Sequence, residues 1–262
     1  QLGALDGLDE LTITTNGSQL KTMAPALASA GVRRLNISLD SLHPERFSAI
    51  TRTGKLAQVL AGIDAAQKAG ISRIKLNSVI VRDLNDDEVL PLLDFALEKG
   101  LDISYIEEMP LGQIDCRDRR GGLVSSEEVR ALIGERYQLL PSTETSAGPS
   151  RYYRIGSSKS RIGFISPHSH NFCDSCNRVR VTCEGRLLLC LGNEHSVDLR
   201  AVMRRYPQDM PALQNAIVNA MALKPERHYF RGCNLVDHRA SAGFDHSGIA
   251  CRNGRSDSDR VL

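Results

Sequence analysis

Residues 74–106 read Ile-Lys-Leu-Asn-Ser-Val-Ile-Val-Arg-Asp-Leu-Asn-Asp-Asp-Glu-Val-Leu-Pro-Leu-Leu-Asp-Phe-Ala-Leu-Glu-Lys-Gly-Leu-Asp-Ile-Ser-Tyr-Ile. The run Ile74–Val81 is rich in β-branched side chains and predicts a strand. Asn85 followed by Glu88 has the spacing of a capping box, which predicts a helix start. Leu90, Leu93 and Leu97 then repeat with helical period, and Gly100 supplies a stop. Ile103–Ile106 predicts the next strand. Strand, helix and strand in this order mean two parallel strands joined by a crossover helix.

The same unit repeats toward the amino end. Leu11–Thr15 predicts a strand closed by the turn signal Asn16-Gly17, and a helix over about 19–30 places Leu20, Met23 and Leu27 on one face, stopped by Gly31. Leu35–Leu39 predicts a strand, and Leu56–Ala69 a helix with Val59, Leu60, Ile63 and Ala66 inward, ended by Gly70. About three and a half βα units are visible, whereas a closed eight-fold barrel takes about 200 residues or more. The predicted fold class is therefore α/β: an incomplete TIM-like βα barrel over 1–109, or an open sheet.

Beyond Met109 the pattern breaks. Pro110, Gly112, the charged run Arg117–Arg120 and Gly121-Gly122 mark a connection, and Ser125-Ser-Glu-Glu128 predicts a short helix to about Tyr137. Residues 141–150 read as a loop. Short β-like segments follow at 151–155, 161–166, 178–182 and 186–191, then helices at about 196–205 and 211–222. These define a second, smaller α+β domain over 110–230. Residues 231–262 are rich in Gly, Ser, Asp and Arg without periodicity, the composition of a disordered tail.

The chain has 262 residues, 41% apolar and 24% charged, with a formal charge of +2, which is too small to imply a nucleic-acid partner. No apolar run reaches the roughly 18 residues that a membrane helix needs. The first residues lack the basic and apolar regions of a signal peptide, and the absence of an initiator Met suggests a start inside a longer gene product. Seven cysteines, four of them between positions 173 and 190, argue against a secreted disulfide scaffold. They favour a metal site in a reducing compartment, the cytoplasm.

Cys173, Cys176 and Cys190 are spaced C-x2-C-x13-C. Two readings stand side by side. One is a structural zinc knot whose fourth ligand comes from His168, His170, Cys183 or His195. The other is an iron–sulfur cluster on three thiolates, with one iron open to an outside ligand. Arg178-Val179-Arg180 follows at once, and on a strand its two guanidinium groups leave the same face beside the sulfurs. In βα folds ligands gather at the carboxyl ends of strands, where Thr14, Ser38, Lys75 and Met109 are placed. Lys75 is the most informative of these, because a charge inside an apolar strand is costly without a partner.

Phe172–Arg180 with Gly185 and Leu189-Cys190-Leu191 resembles the cluster motif of the GTP 3′,8-cyclases, the radical S-adenosylmethionine enzymes of molybdenum cofactor synthesis. Thr14-Thr-Asn-Gly17, Leu35-Asn-Ile-Ser-Leu-Asp-Ser41, Lys75-Leu-Asn77, Tyr105–Gly112, Gly148–Tyr153 and Ile162–Ser166 agree with the same family, in its order, over about residues 5–230. The resemblance implies a [4Fe–4S] cluster on Cys173, Cys176 and Cys190. It implies GTP contacts from Thr14, Lys75, Arg178, Val179 and Arg180, and S-adenosylmethionine contacts from Ser38 and Met109. No side chain is singled out as a catalytic acid or base, and a homodimer is compatible with the resemblance. The C-x3-C-x2-C that holds the family's other cluster does not occur in the sequence. S-adenosylmethionine and a second [4Fe–4S] are therefore expected only together with a preceding N-terminal part. Position 104, an Arg in many members, is Ser104. The competing readings are a non-catalytic metal-binding remnant and a peptide-modifying radical enzyme, the latter disfavoured by the cations of Arg178–Arg180.

Overall fold

Four βα units lead the chain: β1 (Leu11–Thr15), α1 (Leu20–Ser29), β2 (Val32–Ser38), α2 (Pro44–Thr51), α3 (Leu56–Lys68), β3 (Arg73–Ile80), α4 (Val89–Lys99) and β4 (Asp102–Glu107). After them come α5 (Ser126–Gly134), β5 (Leu139–Pro141), β6 (Arg151–Ile155), β7 (Ile162–Ile165), β8 (Arg180–Val181), β9 (Arg186–Leu188), β10 (Ser196–Asp198), α6 (Leu199–Arg205) and α7 (Met210–Met221). The structure, a computed structural model, describes residues 2–109, 122–146, 148–156, 158–191 and 196–227, which share one compact unit. The expected connection at 110–122 and the tail at 231–262 lie almost wholly outside the described residues. None of the described helices is long and apolar enough to cross a membrane.

Seven strands form one sheet in the order β1-β2-β3-β4-β7-β6-β5. The first five are parallel neighbours, and β6 and β5 add antiparallel at the far edge. This is the α/β architecture expected of a partial βα barrel. The period of two along each strand sorts the side chains. Leu35, Ile37, Ile74, Leu76, Ile103 and Tyr105 enter the main core with Val59, Ile63, Leu92, Leu93 and Ala96 of the helices. Burying each large apolar side chain is worth roughly 1.5–3 kcal/mol. The alternate residues Asn36, Lys75, Asn77 and Ile106 face the other way, and that second face carries the site.

Several local expectations are corrected. Met23 is 49% exposed; Leu20 and Ala24 form the buried face of α1. The helices α1 and α3 cross closely at Gly62, where a Cβ would come within 2.9 Å of Gly17 O and Leu20 Cβ. Asn85 and Glu88 form no capping box. The Asn85 side chain accepts from Val81 N at 2.8 Å and donates to Asp40 O and Val79 O. Glu88 instead accepts from Ser41 Oγ, Leu42 N and Arg46. Both polar side chains thus bridge to the loop after β2, and a 3-10 turn at Asp86–Glu88 precedes α4. The capping box in this protein is at Ser125 and Glu128, opening α5. The short helix α2, with Pro44 in its first turn and Phe47 buried, carries too little period to be read from sequence.

The short strands after 151 divide between two sheets. β6 and β7 extend the large sheet, while β8, β9 and β10 make a small antiparallel one. The small sheet has its own apolar centre, with Leu187, Leu189, Leu199 and Ala220 buried beside Val197, Leu213 and Ala216. At the junction of β4 and β7, Ser104 is fully buried and shares a 2.9 Å hydrogen bond with Ser150. A Cβ on Gly163 would overlap the Ser150 hydroxyl and come within 2.5 Å of Ser104 Oγ. Gly163→Ala is therefore expected to lower stability by about 1–3 kcal/mol, measured by denaturant unfolding. Adding Ser150→Gly to it should recover part of the loss.

Candidate functional site

One cavity of about 440 Å³ opens on the inner face of the large sheet and runs to the cysteine-bearing segment. Thr14, Asn36, Lys75, Asn77 and Ile106 line it from β1 to β4, and Ile165 from β7. Gly148, Pro149, Phe172 and Leu191 wall it from the loops. Cys173, Cys176, Cys190, Arg178 and Arg180 complete it. Three thiols and three fixed cations, 75 to 190 in sequence, thus border a single space.

The sheet register explains the strand side of this set. Thr14 pairs with Asn36, and Asn36 with Lys75, so the three form a row across β1, β2 and β3. Asn36 Nδ2 donates to Thr14 Oγ1 at 3.3 Å. The carbonyl oxygens Asn36 Oδ1 and Asn77 Oδ1 are buried with no hydrogen-bond partner. A buried acceptor without a partner costs about 1–3 kcal/mol, so two of them in a cavity wall mark a place for a donor-bearing ligand. Lys75 is the third residue of β3, toward its amino end. The expectation that it sits at the carboxyl end is corrected; the stagger of parallel strands brings it level with Thr14.

The thiol side is built by a 3-10 turn at Cys173–Ser175, closed by Cys176 N–H donating to Cys173 O at 3.0 Å. Asn171 Oδ1 caps the turn by accepting from Cys173 N at 2.7 Å. Cys190 follows β9 directly, behind the fully buried Leu189. Burial pushes the Cys176 thiol up, but hydrogen bonds from the Arg178 amide and guanidinium, with the Lys224 charge, outweigh it and hold Cys176 below the ordinary thiol range. The Arg178 guanidinium also lies 5.1 Å from the Phe172 ring centroid, a cation–π contact.

Among the described residues no three His, Cys, Asp or Glu side chains stand close enough to hold a single metal ion. Of the candidate fourth ligands of a zinc knot, His195 lies outside the described residues. A cubane cluster takes each thiolate on a different iron, so its ligands stand apart around a space. The donor set is compatible with that group: three sulfurs around one cavity, with positive charge beside them.

Arg178 and Arg180 both line the cavity, but only Arg180 lies on a strand, so Arg178 reaches it from the loop before β8 and not by strand alternation; Val179 between them is 39% exposed and does not line it. Met109 lines the cavity; Ser38, at the end of β2, is exposed and does not. Ser104 is packed beneath, on the same strand face as Ile106 but one pleat deeper.

Sequence reasoning missed Glu107. Its carboxylate is 2% exposed at the end of β4. Oε1 accepts from Ser126 N at 2.9 Å and from the Ser169 hydroxyl, and Oε2 from His168 N at 3.0 Å and Ser169 N at 3.1 Å. One residue thereby fastens the start of α5 and the turn that leads into Cys173. The available signal was a lone acid closing the apolar strand Ile103-Ser-Tyr-Ile-Glu107.

Comparison with known proteins identifies the family of the chain. Residues 2–96 match the Radical SAM superfamily, and residues 101–230 match Molybdenum Cofactor Synthesis C. The GTP 3′,8-cyclase of Marinobacter nauticus is 61% identical over 224 residues, which cover 86% of this chain and 68% of that protein. That of Ectopseudomonas mendocina is 58% identical over 230 residues, covering 88% and 70%. These matches place the chain among the radical S-adenosylmethionine proteins. Within that class, the chain belongs to the GTP 3′,8-cyclase family. A solved structure, Streptococcus suis SuiB bound to S-adenosylmethionine, overlaps with a TM-score of 0.47 at 16% identity, over 78% of this chain and 49% of that one.

Burial raises the Glu107 carboxyl, but the hydrogen bonds from Ser169, Ser126 and His168 together bring it below its ordinary value of 4.5. A carboxylate with a lowered folded pKa stabilises the fold above about pH 4.5 and loses that contribution as pH falls through the folded value. Glu107→Gln should cost about 1.5–3 kcal/mol at pH 7. Urea unfolding of both proteins across pH should show the difference shrinking once pH drops below the unfolded carboxyl range.

Proposed function

We propose that this cavity binds GTP against a [4Fe–4S] cluster held by Cys173, Cys176 and Cys190, as the substrate-binding end of a GTP 3′,8-cyclase. The observation that carries the reading is the enclosure of three thiols, Lys75, Arg178, Arg180 and Thr14 around one space. When bound, such a cluster supplies an iron without a protein thiolate, open to a donor atom of the guanine base.

The chain's own residues divide the remaining work. Arg178 and Arg180 present planar forks suited to bidentate phosphate contacts, and Lys75 adds a point charge. Thr14 offers a hydroxyl in the same row. The acceptors Asn36 Oδ1 and Asn77 Oδ1 suit the hydroxyl donors of a ribose. Phe172, Pro149, Leu191, Ile106 and Ile165 keep water from the space, which a radical intermediate requires. Met109, at the rim end of the β4 segment, and Ser38 remain the proposed S-adenosylmethionine contacts. In the family reaction, reductive cleavage of S-adenosylmethionine leads to a bond between ribose C3′ and guanine C8 of GTP. The strands from β1 to β4 are the proposed barrel part, and the small sheet with its helices the cluster-binding part.

Reconstituting the chain anaerobically with iron and sulfide should give roughly four irons and four acid-labile sulfides per chain. Cys176→Ser and Cys190→Ser should each lose most of the cluster. Calorimetric titration with GTP should show Arg178→Met and Arg180→Met each weakening binding about tenfold or more, since a charged hydrogen bond is worth about 1.5–3 kcal/mol. Lys68→Met, an exposed change on α3, should leave Kd unaltered. Stoichiometric zinc without sulfide, or GTP affinity indifferent to both arginines, would overturn the reading.

A further inference from the structure

Lys224 follows α7 and reaches back into the cysteine-bearing segment. Its Nζ donates to Leu189 O at 2.9 Å and Arg178 O at 3.3 Å, and lies 3.7 Å from Cys176 Sγ. Leu189 directly precedes Cys190, and Arg178 stands two residues after Cys176. A single ammonium group therefore touches both arms of the thiol set, one on each side of the hairpin.

The position of this lysine is fixed by packing at some distance from it. Asp209 caps α7 by accepting from Ala212 N at 2.9 Å, and Pro211 sits in the first turn. Ala220 of α7 is buried against Leu187 and Leu189 of the hairpin, in the small apolar centre. The helix then ends in a tight turn, with Leu223 N donating to Ala220 O and Lys224 N to Met221 O. Pro225 has no amide to continue the helix. The chain is thus forced to leave the helix with Lys224 aimed at the hairpin, half-buried beneath the sulfurs.

We infer that Lys224 is a positioning residue that clamps the two cysteine arms and sets the reduction potential of the cluster they hold. The inference rests on the proposed assignment of a [4Fe–4S] cluster to Cys173, Cys176 and Cys190. The physical argument has two parts. A three-donor ammonium satisfied by two carbonyls and a sulfur ties the loops together before any cluster binds. A fixed positive charge at a ligating sulfur also favours the more negative, reduced state of the cluster, so it raises the potential. Arg178 also donates to Cys176, but Lys224 differs from it in reaching both arms at once, through Leu189 O on one side and Arg178 O with Cys176 Sγ on the other.

The test compares the reconstituted full chain with Lys224→Met, which keeps the length and removes the charge, and Lys224→Arg, which keeps the charge. Iron and acid-labile sulfide report cluster occupancy. A dithionite titration followed by electron paramagnetic resonance reports the one-electron midpoint potential. The expected result is a midpoint shifted to more negative potential in Lys224→Met, or loss of cluster in that variant alone, with Lys224→Arg near the parent chain. An unchanged midpoint and occupancy in Lys224→Met would overturn the inference. Equal damage in both variants would do so too, by making the residue one of shape and not charge. Failure of the cluster assignment reads differently, because the unaltered chain itself would then lack acid-labile sulfide.

Discussion

The site depends on one buried carboxylate. A partial βα sheet can present Lys75, Asn36 and Asn77 on its inner face, but the cysteines come from a segment more than 60 residues beyond β4. Glu107 spans that separation by accepting from Ser126 N, His168 N and Ser169 N, together with the Ser169 hydroxyl. Four donors on two oxygens offset the cost of burying the charge. The Ser166 hydroxyl donating to Ser126 Oγ at 2.6 Å closes the same corner. Without this junction the cavity would have a floor and no roof.

A second constraint is the concentration of positive charge. Lys75, Arg178 and Arg180 border one space, and such a cluster is stable only if anions answer it. Elsewhere in the sheet the protein answers its own cations: Arg161 pairs with Asp102 at 2.5 Å with both side chains 14% exposed, and Arg34 pairs with Glu10 at 3.1 Å. Among the described residues no acidic side chain lines the cavity. Its cations face thiols and two orphaned amide oxygens, an arrangement suited to thiolates bound to metal and to a polyanionic ligand.

The fold was legible where periodicity was strong. The β-branched runs at 11–15, 35–39 and 74–81 and the stripe of α3 rose directly from the sequence, because burial on one face leaves a regular mark; in α4 only Leu93 of the expected Leu90, Leu93 and Leu97 is buried, and Val89, Leu92 and Ala96 complete the inward face. The thiols and the alternating arginines were equally plain, since few other roles put those residues at that spacing. What escaped was set by tertiary contact. Asn85 and Glu88 had the spacing of a cap but were drawn to the loop after β2, where Asp40 O, Ser41 and Arg46 offered better partners. Met23 yielded the buried face of α1 to Leu20 and Ala24, a choice among helical positions that period alone left open. The level of Lys75 in the site depended on strand stagger, which no local pattern encodes. Glu107 and Lys224 act on residues 19 to 62 positions away, so neither leaves a local signature.

The buried pair Ser104 and Ser150, packed over Gly163, also limits which sequences this protein can reach by single steps. Here a guanidinium at 104 would meet a filled pleat: Ser150 occupies the space above Gly163, and the glycine is already the smallest residue available. Such a side chain would leave an unpartnered hydroxyl and displace a strand. Positions 104 and 150 are therefore coupled: a large residue at the first becomes tolerable only after Ser150 has been altered, so what one position can hold depends on what the other has become.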